Sequence, residues 1–201
     1  MVKILATGDW HGDTRRPETL AEVAAQENVD MVILGGDLVN HQKDTTNLIG
    51  PFLKKGRKVS FVWGNHDGPE LADFWQHAYK ITNLHGYGIV VGDVGFFGCG
   101  GANVGLDQFS DEEMFQYLVQ GFEKVKHAKK KVMVTHVHPS GTIGEKFSRY
   151  IVGSKGVRKA IDVLQPDVHI TCHVHEAEGI EDKVGKTKIV HIGRNGKVLT
   201  V

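Results

Sequence analysis

The chain reads as an α/β protein with a largely parallel sheet, and three observations predict it. Short apolar strands alternate with helical segments from residue 3 to residue 172. Five of those strands stop on residues of metal-ligand type. The tail from 187 to 201 is all strand, which adds a second sheet or an antiparallel extension.

Each element has its own signal. KILAT (3–7) is a short apolar strand, and PETLAEVAAQEN (17–28) follows as a helix with Pro17 in its first turn. MVILG (31–35) is the next strand. TTNLIGPFLKK (45–55) is a weaker helix, because Gly50 and Pro51 interrupt it. VSFVW (59–63) is a strand and PELADFWQHAYK (69–80) a helix. GYGIVVGDVGFFG (86–98) has the pattern of a hairpin turning at Gly-Asp. A glycine-rich loop (98–109) follows, either a rim of the crevice or a flexible surface connection. Ser110 and Glu113 then form a capping box that opens a helix running to about His127. VMVT (132–135) is a strand, 138–153 an irregular loop, and SKGVRKAIDVL (154–164) a helix capped by Ser154. DVHITC (167–172) is a strand; TKIVHI (187–192) and KVLTV (197–201) read as antiparallel strands. No repeat or linker divides the chain, so 1–201 is expected to be a single domain.

Composition narrows the function. Lys plus Arg and Asp plus Glu are both 24, so no global charge attracts nucleic acid or a membrane surface. The basic runs at 54–58 and 129–131 precede strands and read as solvated ends. The first residues are too short an apolar run for a signal peptide or a span. Two cysteines, Cys99 and Cys172, do not make a disulfide framework, and a reducing cytoplasm is the expected location. The unusual counts are 12 His and 25 Gly, which point to metal and to tight loops.

The strand ends carry the chemistry. They read Gly8-Asp9-Trp10-His11, Gly36-Asp37, Gly64-Asn65-His66-Asp67, His136-Val137-His138 and Cys172-His173-Val174-His175. In open α/β sheets the carboxyl ends of parallel strands share one edge, so these residues gather in one crevice. Crowded there without a cation, the carboxylates repel and the buried polar groups lack partners. The mixed oxygen and imidazole set of Asp9, His11, Asp37, Asn65, His136, His173 and His175 suits Mn, Fe, Co, Ni or Zn. Seven ligands exceed one tetrahedral site, so two ions are expected, as in the two-metal clamps of phosphoryl transfer. Asp9 and His11, like His173 and His175, are two residues apart, which in extended backbone turns both to one side. Asn65 then reaches a metal, with His66 and Asp67 facing substrate. Any one motif alone reads as turn chemistry; five in order do not.

Several neighbours have plainer readings. His138 is a candidate substrate contact, with a simple loop role as the alternative. Cys172 is either a packed small residue or a soft ligand that favours zinc. Trp10, between two ligands, reads as packing. His41, His77, His85, His127, His169 and His191 match no ligand spacing and read as ordinary histidines.

The series GDWHGD, GGD, GNHD, THVHP and CHVH resembles the calcineurin-like metallophosphoesterases, closest to the small single-domain archaeal and bacterial type. A helix with the pattern of Gly153 to Arg158 also occurs there. The resemblance implies two facing mixed β-sheets flanked by helices, a four-layer α/β/β/α sandwich. It implies one metal on Asp9, His11 and His175, a second on Asn65, His136 and His173, and Asp37 bridging them, with manganese the first expectation. A bridging hydroxide would attack phosphorus, His66 would assist the leaving oxygen, and Asp67 would orient His66. The implied activity is hydrolysis of a small phosphodiester or phosphomonoester. The chain departs from the pattern at Cys172, where Gly is usual, and at HIGRNG (191–196), which lacks the Asn-Pro-Gly often seen after the last sheet. Two rival functions are a non-catalytic scaffold and a nuclease. The scaffold subunit of retromer lacks the histidine that stands here as His66, and 201 residues leave little room for DNA-contacting regions. The oligomeric state, including a homo-oligomer, is left open.

Overall fold

Both faces of the first strands are apolar, so each strand must be covered from two sides. The computed structural model, which describes residues 1–41, 45–105, 108–148 and 151–201, meets that demand with two stacked sheets. In chain order the elements are β1 (Lys3–Thr7), α1 (Arg16–Gln26), β2 (Met31–Leu34), α2 (Gly50–Lys54), β3 (Lys58–Phe61), α3 (Pro69–Tyr79), β4 (Thr82–Asn83), β5 (Gly88–Val91), β6 (Val94–Cys99), α4 (Asp111–Val125), β7 (Lys130–Thr135), α5 (Lys155–Leu164), β8 (Val168–Thr171), β9 (Glu181–Val184), β10 (Thr187–His191) and β11 (Lys197–Thr200). The first sheet has the order β11-β1-β2-β3-β4 and the second β5-β6-β7-β8-β10-β9. Within them β1 to β4 run parallel, as do β6, β7, β8 and β10. The edge strands β11, β5 and β9 are antiparallel to their neighbours.

Alternation along each strand builds three cores. Ile4, Ala6, Met31 and Ile33 point between the sheets, where they meet Phe96, Val132, Val134, Ile170 and Val190. Leu5, Val32, Leu34 and Phe61 point the other way, onto a layer that includes Leu20, Phe52 and Trp75 from α1, α2 and α3. Phe97 and Met133 pack outward with Met114 and Leu118 of α4 and Ala160 and Ile161 of α5. The result is helix, sheet, sheet, helix: the two facing mixed sheets that the motifs implied.

The helix caps form as read. Ser110 accepts from the Glu113 N–H at 3.2 Å and the Glu113 carboxylate accepts from the Ser110 N–H at 2.8 Å. The Ser154 hydroxyl accepts from the Val157 N–H at 3.1 Å.

Two readings need correction, and two strands leave no signal in the sequence. The helix expected over 45–55 is only Gly50–Lys54, and Pro51 lies in its first turn, so proline starts the helix instead of interrupting it. The tail strands do not pair with each other: β10 lies parallel beside β8, and β11 crosses to the other sheet beside β1. Buried Ile189 and Val190 fill opposite faces of the second sheet, which suits β10 to an interior place. β9 has no apolar pattern because its sequence, EDKV, is polar and sits at an edge. The two-residue β4 is too short to leave a pattern.

Truncating the inter-sheet core should cost far more than losing a cap. Phe96→Ala is expected to destabilise the fold by about 3–5 kcal/mol, and Ser154→Ala by about 1–2 kcal/mol. Urea denaturation followed by tryptophan fluorescence would check the order; equal losses would contradict the layered account.

Candidate metal centre

The carboxyl ends of β1, β2 and β3 face those of β7 and β8, and the loops leaving them are tied across the gap. The His136 Nδ1 lies 2.9 Å from the Gly35 carbonyl, and the His173 N–H donates to Asp9 Oδ2 at 3.1 Å. The Gly8 N–H and the Thr7 hydroxyl both donate to the Gly193 carbonyl. Each sheet thus presents half of one cluster.

Close backbone approach explains the glycines. Gly36 has φ +97°, and a Cβ there would lie 2.5 Å from the Gly64 backbone nitrogen. A side chain on Gly64 would run into the Asp37 carboxylate. The Cys172 thiol fills the space that Gly8 and Gly35 leave open, and it is buried in the inter-sheet core. Burial also pushes that thiol well above its ordinary pKa. Packing therefore accounts for cysteine at this position, although its sulfur also lies within 4.8 Å of ligand atoms of Asp9 and His136.

The backbone geometry differs from the extended one that the spacing suggested. Asp9 (φ 54°), His11 (φ 47°), Asp37 (φ 52°) and His173 (φ 75°) are all left-handed. Non-glycine residues pay strain for this conformation, and such strain concentrates at functional sites. Asp9 and His11 still converge, but His173 and His175 diverge into separate groups.

Those groups are Asp9 with His11 and His175, and Asp37 with His136 and His173, the donor atoms of each lying within 4.8 Å of one another. Asp37 Oδ2 stands between them, 3.2 Å from His136 Nε2, 3.9 Å from His11 Nε2 and 4.0 Å from His66 Nε2. His11 and His175 bring their Nε2 atoms to 3.0 Å, and His173 Nδ1 lies 3.1 Å from His136 Nε2. Asp9 Oδ1, Asn65 Oδ1 and His173 Nε2 are buried without a hydrogen-bond partner. Buried polar atoms are normally paired, so these donors fit a cation that the chain itself does not supply.

Electrostatics support the same view. Burial raises Asp9 to about 7, with the charge of Asp37 adding to the effect and His136 opposing it. Burial lowers His173 to about 2 and His11 to about 4, leaving the neutral imidazoles that metals bind. At His136 burial works downward but is outweighed by the Asp37 charge and its hydrogen bond, which lift the ring to about 9. Asp37 is correspondingly held below the usual carboxylate range, against its own burial.

Two predicted roles change. Asp67 does not face substrate or the His66 ring. Its Oδ2 accepts from the Asp37 and Gly64 N–H groups at 2.7 and 2.8 Å, and its Oδ1 from those of Leu38 and Val39 at 2.9 and 3.0 Å. His66 Nδ1 instead lies 2.9 Å from Asn40 Oδ1, a partner that no spacing rule singled out. His138 is completely buried, with its ring 6.4 Å from those of His173 and His191, so it offers no surface to a substrate. Burial lowers it to about 4. Trp10 is packing, as expected: it stacks on Phe52 and its indole N–H donates to Thr7.

The sheet sandwich and this Asp, His and Asn cluster together define a metal-dependent phosphoesterase architecture. Comparison with known proteins agrees. The calcineurin-like phosphoesterase family matches residues 2–177, and the chain belongs to that family. Among solved structures, TT1561 of Thermus thermophilus superposes with a TM-score of 0.75 at 18% identity, covering 96% of this chain and 90% of that one. A dimetal phosphatase from Danio rerio gives 0.71 at 13% identity, covering 96% and 88%. An archaeal phosphodiesterase gives 0.57 at 19% identity, covering 95% and 83%. At these identities the likeness is one of fold. A comparison with curated proteins returned no match.

Two outcomes are expected. Asp67→Asn replaces one of two oxygens that each accept two N–H groups, and loss of such a charged hydrogen bond costs about 1.5–3 kcal/mol. Thermal unfolding and metal content should both fall; an unchanged variant would contradict the anchoring role. Affinity for manganese should rise from pH 6 to pH 8, because a proton held at Asp9 to about pH 7 competes with the cation. The same raised value makes the metal-free fold bind this proton more tightly than the unfolded chain, so Asp9 costs stability as pH rises from about 4 to 7. Calorimetric titration in buffers of different ionisation heat would detect proton release on binding; none near pH 6 would contradict this.

Proposed function

We propose that this chain hydrolyses small phosphoesters at a centre that binds two divalent cations. Asp9, His11 and His175 hold one, Asn65, His136 and His173 the other, and Asp37 is shared. The observation that carries the reading is the position of Asp37 Oδ2 between His136 and His11, with partnerless donors buried on either side. Bound divalent ions supply Lewis-acid activation of water and positive charge against phosphate. Mixed nitrogen and oxygen donors make manganese the first ion to try, with Fe, Ni, Zn and Co as alternatives.

The remaining work falls to the chain. Asp9, Asp37, His136 and His173 are buried, whereas His175 is exposed and His11 and His66 are half-buried. Substrate therefore approaches from the side of His11, His66 and His175. His66 Nε2 lies on that side and assists departure of the leaving oxygen. As substrates we place phosphodiesters first and monoesters second. Among the described residues no helix is long and apolar enough to cross a membrane. The two free, buried cysteines fit a reducing cytoplasm.

The protein loaded with manganese should carry two ions per chain and turn over bis(p-nitrophenyl) phosphate in a metal-dependent way. No turnover with Mn, Ni, Fe or Zn would overturn the proposal. His66→Ala should keep both ions and lose activity by about 10²–10⁴-fold. Asp37→Ala should weaken both ions, and unchanged metal stoichiometry would contradict a shared ligand.

A further inference from the structure

Of the seven ligand residues only His175 is exposed, and it lies beyond the end of its strand in a single 3-10 turn, His175–Ala177. The poor hydrogen-bond geometry of one such turn gives it little stability of its own. His173 is better secured. The Cys172 N–H before it donates to the His136 carbonyl at 3.0 Å, and its own N–H donates to Asp9. The turn of His175 is closed instead by Glu178, whose N–H donates to the His175 carbonyl at 3.2 Å. The Glu178 side chain then reaches the stretch HIGRNG (191–196). Its Oε1 accepts from the Asn195 backbone N–H at 2.8 Å and its Oε2 from Asn195 Nδ2 at 3.1 Å. A Cβ on Gly193 would lie 2.7 Å from Glu178 Cδ, so glycine there lets the carboxylate lie across the loop. Asn195 Oδ1 accepts in turn from Arg16 Nη1 of α1 at 3.1 Å. The same loop holds the end of β1, because the Gly193 carbonyl accepts from the Gly8 N–H at 3.2 Å and from the Thr7 hydroxyl at 3.0 Å. One carboxylate thus joins the turn of His175 to the loop that anchors the backbone next to Asp9.

We propose that Glu178 is a positioning residue for the ion assigned to Asp9, His11 and His175: by clasping Asn195 it fixes the turn of His175 against the end of β1, and it sets the affinity of that ion apart from the other. The proposal rests on the two-ion reading. Groups outside a coordination shell govern metal affinity by about 10–100-fold, because they decide where a ligand sits before the metal arrives. A carboxylate suits the task, since its charge strengthens both hydrogen bonds to Asn195. The clasp acts on one half of the centre. Asn65 and His136 take their places from the ends of β3 and β7, and none of the bonds made by Glu178, Asn195 or Gly193 reaches them. Gly193 and Asn195 are then what the stretch 191–196 supplies where Asn-Pro-Gly often stands.

Two measurements test this. In the metal-free protein, hydrogen exchange read by mass spectrometry should show Glu178→Ala losing protection over residues 7–11 and 175–180, while 62–66 and 132–137 keep theirs. Unchanged exchange at 175–180, or a loss spread evenly over all four segments, would overturn the clasp. In calorimetric titration with manganese, Glu178→Ala should weaken one ion by about 10-fold or more and leave the other nearly unchanged. Glu178→Gln, which keeps an acceptor for the Asn195 N–H, should recover part of that affinity. The ion affected is identified by a double-mutant cycle: once His175→Ala is in place, adding Glu178→Ala should cost little more. Equal weakening of both ions, no weakening of either, or full additivity with His175→Ala would overturn the positioning role. An unsubstituted protein that binds fewer than two ions, with the exchange pattern as expected, would sink the two-ion reading and leave the Glu178 clasp standing.

Discussion

Four backbone N–H groups converge on the Asp67 carboxylate, and the front of the centre depends on that convergence. They come from Asp37, Leu38, Val39 and Gly64, so one side chain ties the loop after β2 to the loop after β3. The tie closes because Gly36 and Gly64 let the two backbones meet where a Cβ would collide. In return the His66 N–H donates to Asp37 Oδ1, which turns the other oxygen of that carboxylate toward the histidines. Asp37, Asn65, His66 and Asn40 all take their places from this one arrangement.

The rear of the centre comes from the other sheet, and the inter-sheet core does most to hold the halves in register. His136 and His173 reach across to Gly35 and Asp9 through single hydrogen bonds. Such bonds contribute about 1 kcal/mol each, whereas the apolar layer between the sheets buries large side chains from both. The core therefore bears the cost of collecting two buried carboxylates, several imidazoles and four left-handed backbone positions in one place. A cation of the right size and charge relieves much of that cost, which is why the same residues that look frustrated as a folding motif look suited to binding.

Much of this was legible in the chain. The alternation of β and α, the caps at Ser110 and Ser154, and the ligand-type strand ends all follow from local chemistry, and their order resembled one family. Local rules failed where a residue's role depended on a distant partner. Asp67 stands next to His66 in sequence, yet its carboxylate belongs to backbone groups near residue 38. His138 repeats the spacing of the ligand pairs, yet its ring is buried beside His191. Asn40 has no distinguishing spacing at all. Pro51 looked like an interruption because propensity does not say where a helix begins.

By itself the sequence determined which atoms are available. Alternating apolar residues dictate strands covered on both faces, and Asp, His and Asn at strand ends supply donor atoms of the kind that divalent ions accept. Only the tertiary structure decided how those atoms are divided: which histidine sits with which carboxylate, which carboxylate braces a loop, and which ring is open to solvent. The physical reason is that hydrogen bonds and ligand groups act over about 3 Å, and contacts of that length between residues a hundred positions apart exist only once two sheets have packed.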